Sequence, residues 1–152
     1  MSLSIEYLLS KATFTQIEDH LLNCEANFLP PLSDRVEIND YAQKIMNKAT
    51  RFEAWSDDTL IGLLAVYCDN QDKRIAYITN VSVLLAWTNM GIAARLVNQC
   101  IEFVTNSGMR QICLEVNKES SHAIKLYESS GFVTSKTDTP LLTMNLFLDN
   151  GK

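Results

Sequence analysis

The chain has 152 residues, of which 47% are hydrophobic and 20% charged, with a net charge of −5; this is the size and balance of one globular domain. No apolar run approaches the roughly 20 residues of a membrane-spanning helix, and the acidic excess argues against nucleic-acid binding. The first residues lack the basic stretch and apolar core of a secretory signal. We therefore expect a cytoplasmic protein with neither membrane nor nucleic-acid partners.

In chain order, hydrophobic periodicity and turn-forming residues predict a strand at residues 4–9, a helix at 13–27, a second helix from a cap at Ser33 or Asp34 to about 49, strands at 51–55, 59–68 and 75–84, a helix at 88–106, a strand at 111–116, a helix at 120–130, and strands at 132–135 and 141–147. A run of hairpins followed by a strand–helix–strand crossover is typical of an α/β sheet with helices on both faces.

The cysteines and histidines are too scattered to predict a metal site. No two cysteines form a C-x-x-C pair, and His20 and His122 are far apart in the sequence. Zinc sites need clustered ligands, and disulfides are rare in proteins that are not exported. We expect no metal and read the cysteines as packing residues or incidental thiols.

The stretch from Ala76 to Arg95 joins a strand, a short loop and a long helix. The N–H groups in the first turn of a helix lack helical partners and carry partial positive charge. Gly91 and Ala93 leave room there for a pyrophosphate to approach the backbone. The alternative is a glycine that only permits close packing of the helix on the sheet.

A second motif lies between residues 114 and 132. Ala123, Leu126, Tyr127 and the pair Gly131-Phe132 have the spacing A-x-x-L-Y-x-x-x-G-F. This resembles the second signature of the GCN5-related N-acetyltransferase (GNAT) superfamily, N-x-x-A-x-x-L-Y-x-x-x-G-F, with Ser120 where the family often has asparagine.

The first GNAT signature, Q/R-x-x-G-x-G/A, resembles residues 88–93. Gly91 and Ala93 match it, whereas Thr88 departs from the usual glutamine or arginine. The resemblance implies one acetyltransferase domain over residues 1–152, with a mixed, mostly antiparallel sheet of six to seven strands and about four helices on both faces. It also implies a V-shaped cofactor cleft, where the strand before the first signature splays from the next strand.

The resemblance implies acetyl-CoA as the acyl donor. The implied cofactor contacts are Val81, Ser82, Val83, Thr88, Asn89, Met90, Gly91, Ile92, Ala93, Ala94, Asn117, Ser120 and Tyr127. Among them, the backbone N–H of Val83 is the candidate for polarising the thioester carbonyl. Arg95 and Lys118 are read either as contacts to outlying phosphates or as solvated surface charges.

Tyr127 and Glu115 are the implied catalytic residues. A phenol with a pKa of about 10 can protonate a leaving thiolate, which gives Tyr127 the role of acid; otherwise it only packs. Tyr77 stands where the histone-modifying branch has its glutamate base. Glu115 lies twelve residues before Tyr127, a spacing similar to that of the branch that acetylates ribosomal-protein N-termini. The alternatives are an exposed strand carboxylate at 115, or a water relay at Asn80.

These features predict an acetyl-CoA-dependent N-acetyltransferase that transfers its acetyl group directly to a primary amine in a ternary complex. The acceptor is a small molecule or a peptide, and the resemblance places its pocket near residues 28–35 and near 137–142. Arg35 is read either as a ligand for a carboxylate or phosphate or as a surface arginine on a rigid helix connection. The alternative is a noncatalytic acyl-CoA-binding module, which the departures at Thr88 and Tyr77 would suit. A homodimer through the closing strands is a further expectation.

Overall fold

The computed structural model describes residues 4–148, in which seven strands form one sheet of order β1-β2-β3-β4-β5-β7-β6. The strands are β1 (Glu6–Leu9), β2 (Thr50–Ser56), β3 (Thr59–Tyr67), β4 (Ile75–Val83), β5 (Gln111–Asn117), β6 (Val133–Asp138) and β7 (Leu141–Phe147). The helices are α1 (Phe14–Cys24), α2 (Ile38–Lys48), α3 (Ile92–Asn106) and α4 (Ser121–Ser129). Neighbouring strands are antiparallel except β4 and β5, so the predicted fold class is confirmed.

Helices cover both faces of the sheet. The α1/α2 face buries Ile17 and Leu21 of α1 and Ile45 of α2 against β3. The α3/α4 face buries Leu96 of α3 and Tyr127 of α4. Because both faces of β3 are covered, this strand is an almost continuous apolar run rather than an alternating one. None of the helices in the described part of the chain is long and apolar enough to cross a membrane.

The predicted start of the second helix is wrong. Residues Leu32–Asp34 form a single 3-10 turn, and α2 begins only at Ile38. Its cap is Glu37, whose carboxylate accepts hydrogen bonds from the backbone N–H groups of Asn39 and Asp40. Serine and aspartate are the usual caps, so sequence preference favoured the wrong residues.

The long helix also begins later than predicted, at Ile92 instead of Thr88. A 3-10 turn at Leu85–Trp87 precedes it, and Asn89 and Gly91 have φ angles of 64° and 80° in the left-handed region. Residues 88–91 are therefore a loop that leads into the helix. The first helix likewise ends early, at Cys24, and is followed by a 3-10 turn.

Strands β4 and β5 separate soon after they meet. Their parallel pairing comprises Ile75 with Gln111, Ala76 with Ile112, and Tyr77 with Cys113. Beyond this last pair, β4 continues beside β3 and β5 continues beside β7. The point of separation, called the fork below, opens the V-shaped cleft expected from the sequence.

Gly62 of β3 allows α3 to approach the sheet closely. An added Cβ would lie 2.9 Å from Cγ2 of Ile92 and 3.3 Å from Cδ1 of Leu96. We expect Gly62→Ala to displace the first turn of α3 and to lower the free energy of unfolding by about 1–3 kcal/mol in urea denaturation. Thr59→Ala, at an exposed position of the same strand, should stay within about 0.5 kcal/mol of wild type. Equal stability of both variants would contradict this close contact.

Candidate active site

The cleft edge of β4 carries backbone groups that β3 does not use. The N–H of Leu84 donates to the carbonyl of Ile61 at 2.8 Å, and antiparallel residues face their partner strand alternately. The backbone of Ser82 therefore also faces β3, whereas Val81 and Val83 direct their N–H and C=O groups into the cleft. Since β5 pairs with β4 only as far as Tyr77, these groups can bind an extended ligand.

The loop before α3 ends in an open helix N-terminus. The N–H of Arg95 bonds to the carbonyl of Gly91 at 3.1 Å, and no side chain caps the first turn. Ile92 is buried and anchors the turn, Ala93 is half-buried, and the remaining positions are exposed: Thr88, Asn89, Met90, Gly91 and Ala94. Uncapped N–H groups at such a terminus can bind a diphosphate.

Arg95 and Lys118, the two possible contacts to outlying phosphates, have different surroundings. The guanidinium of Arg95 lies 4.1 Å from the ring centroid of Tyr7 on β1. Lys118 is exposed at the turn before α4, where its backbone N–H donates to the carbonyl of Pro140. The Arg95 side chain is thus partly engaged by an aromatic ring.

Tyr127 lies on the α3/α4 face. Its side chain is 7% exposed and packs edge-on against Phe132, with ring centroids 5.8 Å apart. Burial raises the pKa of Tyr127, so the phenol stays protonated at neutral pH. The turn before its helix is fixed by Asn117, which accepts the N–H of Glu119 on its side chain and that of Ser120 on its carbonyl.

Glu115 projects from the opposite face. Along β5 it alternates with the buried Leu114, and its carboxylate accepts a hydrogen bond from the Tyr77 hydroxyl at 3.2 Å. Tyr77 belongs to the last β4–β5 pair, so this carboxylate lies beside the fork. The structure therefore places Glu115 and Tyr127 on opposite faces of the sheet.

A buried polar chain on the α1/α2 face was missed by sequence reasoning. Nδ1 of His20 lies 2.9 Å from the carbonyl of Leu60; because a carbonyl only accepts, Nδ1 carries the proton. Nε2 then accepts from the Ser82 hydroxyl at 2.9 Å, and Asn80 Nδ2 donates to the same hydroxyl. Burial lowers the pKa of His20, which keeps the ring neutral. The Asn80 Oδ1 atom is buried and has no hydrogen-bond partner among residues 4–148.

Three tyrosines also lie on the α1/α2 face around the bulge in β4. Ala65 pairs with Asn80 and Val66 with Ile78, so Thr79 is the extra residue. The Tyr41 hydroxyl donates to the Thr79 carbonyl at 2.6 Å. The three tyrosines are Tyr41, Tyr67 and Tyr77, and burial raises the pKa of each, that of Tyr41 to about 12.

We expect the protein to lose stability as the pH rises above 10. Unfolded tyrosines release their protons near pH 10, whereas folded Tyr41 keeps its proton until about 12. The stability that the protonated Tyr41 phenol gives to the folded state is therefore fully present below pH 10 and is lost as the pH rises towards the folded pKa. Tyr41 accounts for roughly 1.4 kcal/mol of the loss by pH 11. Urea unfolding at pH 8 and 11 measures it, and Tyr41→Phe should show a smaller difference; an unchanged difference would contradict the assignment.

Comparison with known structures shows the same fold in acetyltransferases. The PaiA N-acetyltransferase of Thermoplasma acidophilum, solved with coenzyme A, has a TM-score of 0.75 at 17% identity, over 95% of this chain and 99% of that one. The ribosomal-protein-S18-alanine N-acetyltransferase of Escherichia coli has a TM-score of 0.73 at 18% identity, over 97% and 94% of the two chains.

Sequence comparison gives the family. The chloroplastic GCN5-related N-acetyltransferase 6 of Arabidopsis thaliana is 32% identical over 75 residues, which are 47% of this chain and 26% of that protein. The match thus spans about a quarter of the curated relative. The model of the acetyltransferase (GNAT) family matches residues 14–132. The chain therefore belongs to the acetyltransferase (GNAT) family.

Proposed function

We propose that this protein transfers an acetyl group from acetyl-CoA directly to a primary amine while both substrates are bound. The observation that carries the proposal is the fork, where free backbone groups of β4 adjoin an uncapped helix start. Family membership over residues 14–132 supports the same reaction. When bound, acetyl-CoA would supply an activated acyl group as a thioester.

The residues of the cleft fit this donor. Val81 and Val83 would pair with the amide-containing arm of the coenzyme as a strand partner would. The backbone of residues 88–94 would hold its diphosphate, and the N–H of Val83 would polarise the thioester carbonyl.

The reaction needs a base and an acid, which we place on opposite faces of the sheet. An alkyl amine has a pKa near 10 and arrives mostly protonated, so it must lose a proton before it attacks. Glu115, oriented by Tyr77, accepts that proton directly or through a water molecule. Tyr127 donates its phenolic proton to the leaving thiolate from the other side of the sheet. The second proton, which the nitrogen loses when it becomes an amide, returns the Tyr127 phenolate to the phenol through water, so that one proton is released overall.

Thermal unfolding with acetyl-CoA, coenzyme A and ATP tests the donor site. Acetyl-CoA at a hundredfold excess over its Kd should stabilise the fold by about 2.7 kcal/mol, and ATP should not. Thiol release that depends on an added amine, measured over a broad panel, tests the reaction. No shift at millimolar acetyl-CoA would contradict the donor site. A shift without any amine-dependent release would favour the noncatalytic acyl-CoA-binding module, the alternative that the departures at Thr88 and Tyr77 suit.

Glu115→Gln is expected to lower kcat about a hundredfold, because the amide cannot accept the ammonium proton. The Kd of acetyl-CoA should change little, since the side chain lies on the other face from the α3 turn. Thiol-release kinetics and a coenzyme titration measure the two quantities. Glu119→Gln, at an exposed position nearby, should behave as wild type. Full activity of Glu115→Gln would assign the base to another group, with Asn80 and a bound water as the next candidate.

A further inference from the structure

A cavity of about 380 Å³ opens on the α1/α2 face. Its walls include Lys44 and Lys48 of α2, Tyr67 of β3, Asp69 of the following loop and Tyr77 of β4. Pockets for small ligands start at roughly 300 Å³. The cavity therefore suits a molecule of amino-acid size better than a folded protein surface.

Tyr77 connects this cavity to the proposed reaction centre. Its ring lines the wall, and its hydroxyl donates to Glu115 at 3.2 Å. Tyr77 also belongs to the last pair before the fork. A molecule in the cavity would thus lie against Tyr77, whose hydroxyl is one hydrogen bond from the carboxylate beside the fork.

The opposite wall is rich in hydrogen-bond donors. Lys44 and Lys48 lie one helical turn apart, and within residues 4–148 neither has a carboxylate partner. The Lys44 ammonium lies 5.0 Å from the Tyr67 ring centroid, and the Tyr67 hydroxyl is buried beside the Thr79 side chain. Two cations against the single carboxylate of Asp69 make this wall locally positive in a chain of net charge −5.

The loop at residues 28–35, which the sequence suggested as part of the acceptor pocket, has fewer groups that could bind an anionic acceptor. Arg35, its candidate for binding an anion, lies 6.0 Å from the ring centroid of Phe28. The cavity beside α2 combines two ammonium groups with a tyrosine that is hydrogen-bonded to Glu115, a combination that residues 28–35 do not offer.

We infer that the cavity beside α2 is the acceptor pocket, and that the acceptor is a small primary amine with a carboxylate or phosphate group at its far end. The anion binds the ammonium groups of Lys44 and Lys48, and the amine points past Tyr77 towards Glu115. The role of this ligand as acetyl acceptor rests on the proposed function. The chemical class of the ligand rests on the cavity alone.

Matched pairs of amines test the class by calorimetry on protein saturated with coenzyme A. The pairs are 4-aminobutyrate with 4-aminobutanamide for carboxylate, and O-phosphoethanolamine with ethanolamine for phosphate. In at least one pair the anionic member should bind about tenfold or more tightly, as expected for a charge-assisted hydrogen bond; the pair that responds identifies the anion. The double variant Lys44→Met/Lys48→Met should lose this preference. Lys125→Met, at an exposed position on α4, should keep it.

Four results are decisive. Equal binding of both members in both pairs, or a preference that survives in the double variant, would overturn the inference. Acetylation of peptide N-termini alone, unaffected in the double variant, would overturn it too and assign a protein acceptor. If the double variant loses the preference for anionic amines but no amine causes thiol release from the wild-type protein, the proposed function is contradicted and the inferred class of ligand is supported.

Discussion

Replacing Glu53 by glutamine is expected to lower the free energy of unfolding by about 3–5 kcal/mol. The carboxylate is fully buried in β2. It accepts hydrogen bonds from the backbone N–H groups of Lys11 and Ala12, from Nε of Arg51, and from the indole N–H of Trp55, at 3.0–3.1 Å. It thereby holds the loop between β1 and α1 on the sheet.

The amide of glutamine fails here for two reasons. Its NH₂ group faces N–H donors instead of accepting from them, so buried donors lose their partner. The guanidinium of Arg51, itself 4% exposed, would also remain charged without its counterion. Breaking one partner of a buried ion pair costs far more than removing the pair.

Urea and thermal unfolding measure this effect. A loss of 3–5 kcal/mol corresponds to a fall in Tm of roughly 6–20 °C for a protein of this size. Glu6→Gln, at an exposed position of β1, should stay within about 0.5 kcal/mol of wild type. The double variant Arg51→Met/Glu53→Met should be more stable than Glu53→Gln. A Glu53→Gln protein within 1 kcal/mol of wild type would show that the carboxylate does not anchor the loop.

The sequence predicted the parts of the fold that depend on local pattern. The apolar run of β3 and the helical periodicity of α3 are long and regular, so their existence and type were predicted correctly. The start of α2 was not, because Glu37 is an unusual cap and Ser33 a common one. The start of α3 was placed too early because Asn89 and Gly91, which both readily take the left-handed conformation, were read as part of the helix.

The candidate site divides in the same way. Its motif residues, such as Gly91 and Tyr127, follow one another at fixed spacing and can be identified by resemblance. The contacts that shape the α1/α2 face join residues far apart in the chain: His20 and Ser82 are separated by 62 positions, and Tyr77 and Glu115 by 38. Periodicity predicts which face a residue occupies but not which distant side chain it meets.

Tyr127→Phe is expected to lower kcat by about a hundredfold or more, the usual contribution of a positioned general acid. Burial raises the pKa of Tyr127, so the wild-type phenol stays protonated to above pH 10 and supplies its proton across the working range. Without the hydroxyl the thiolate must take its proton from water. Thiol-release kinetics with a verified amine, from pH 7 to 10, measure the loss.

The same variant separates catalysis from folding. Within residues 4–148 no protein group is hydrogen-bonded to the Tyr127 hydroxyl, so its removal leaves no buried partner unsatisfied. The ring keeps its edge-on contact with Phe132, and we expect Tm and the Kd of acetyl-CoA to stay near wild type. Tyr7→Phe, which keeps the ring beside Arg95 at the far edge of the sheet, is the matched control and should retain its activity. If Tyr127→Phe turns over as fast as wild type while its fold is intact, the thiolate obtains its proton elsewhere and Tyr127 is a packing residue of α4.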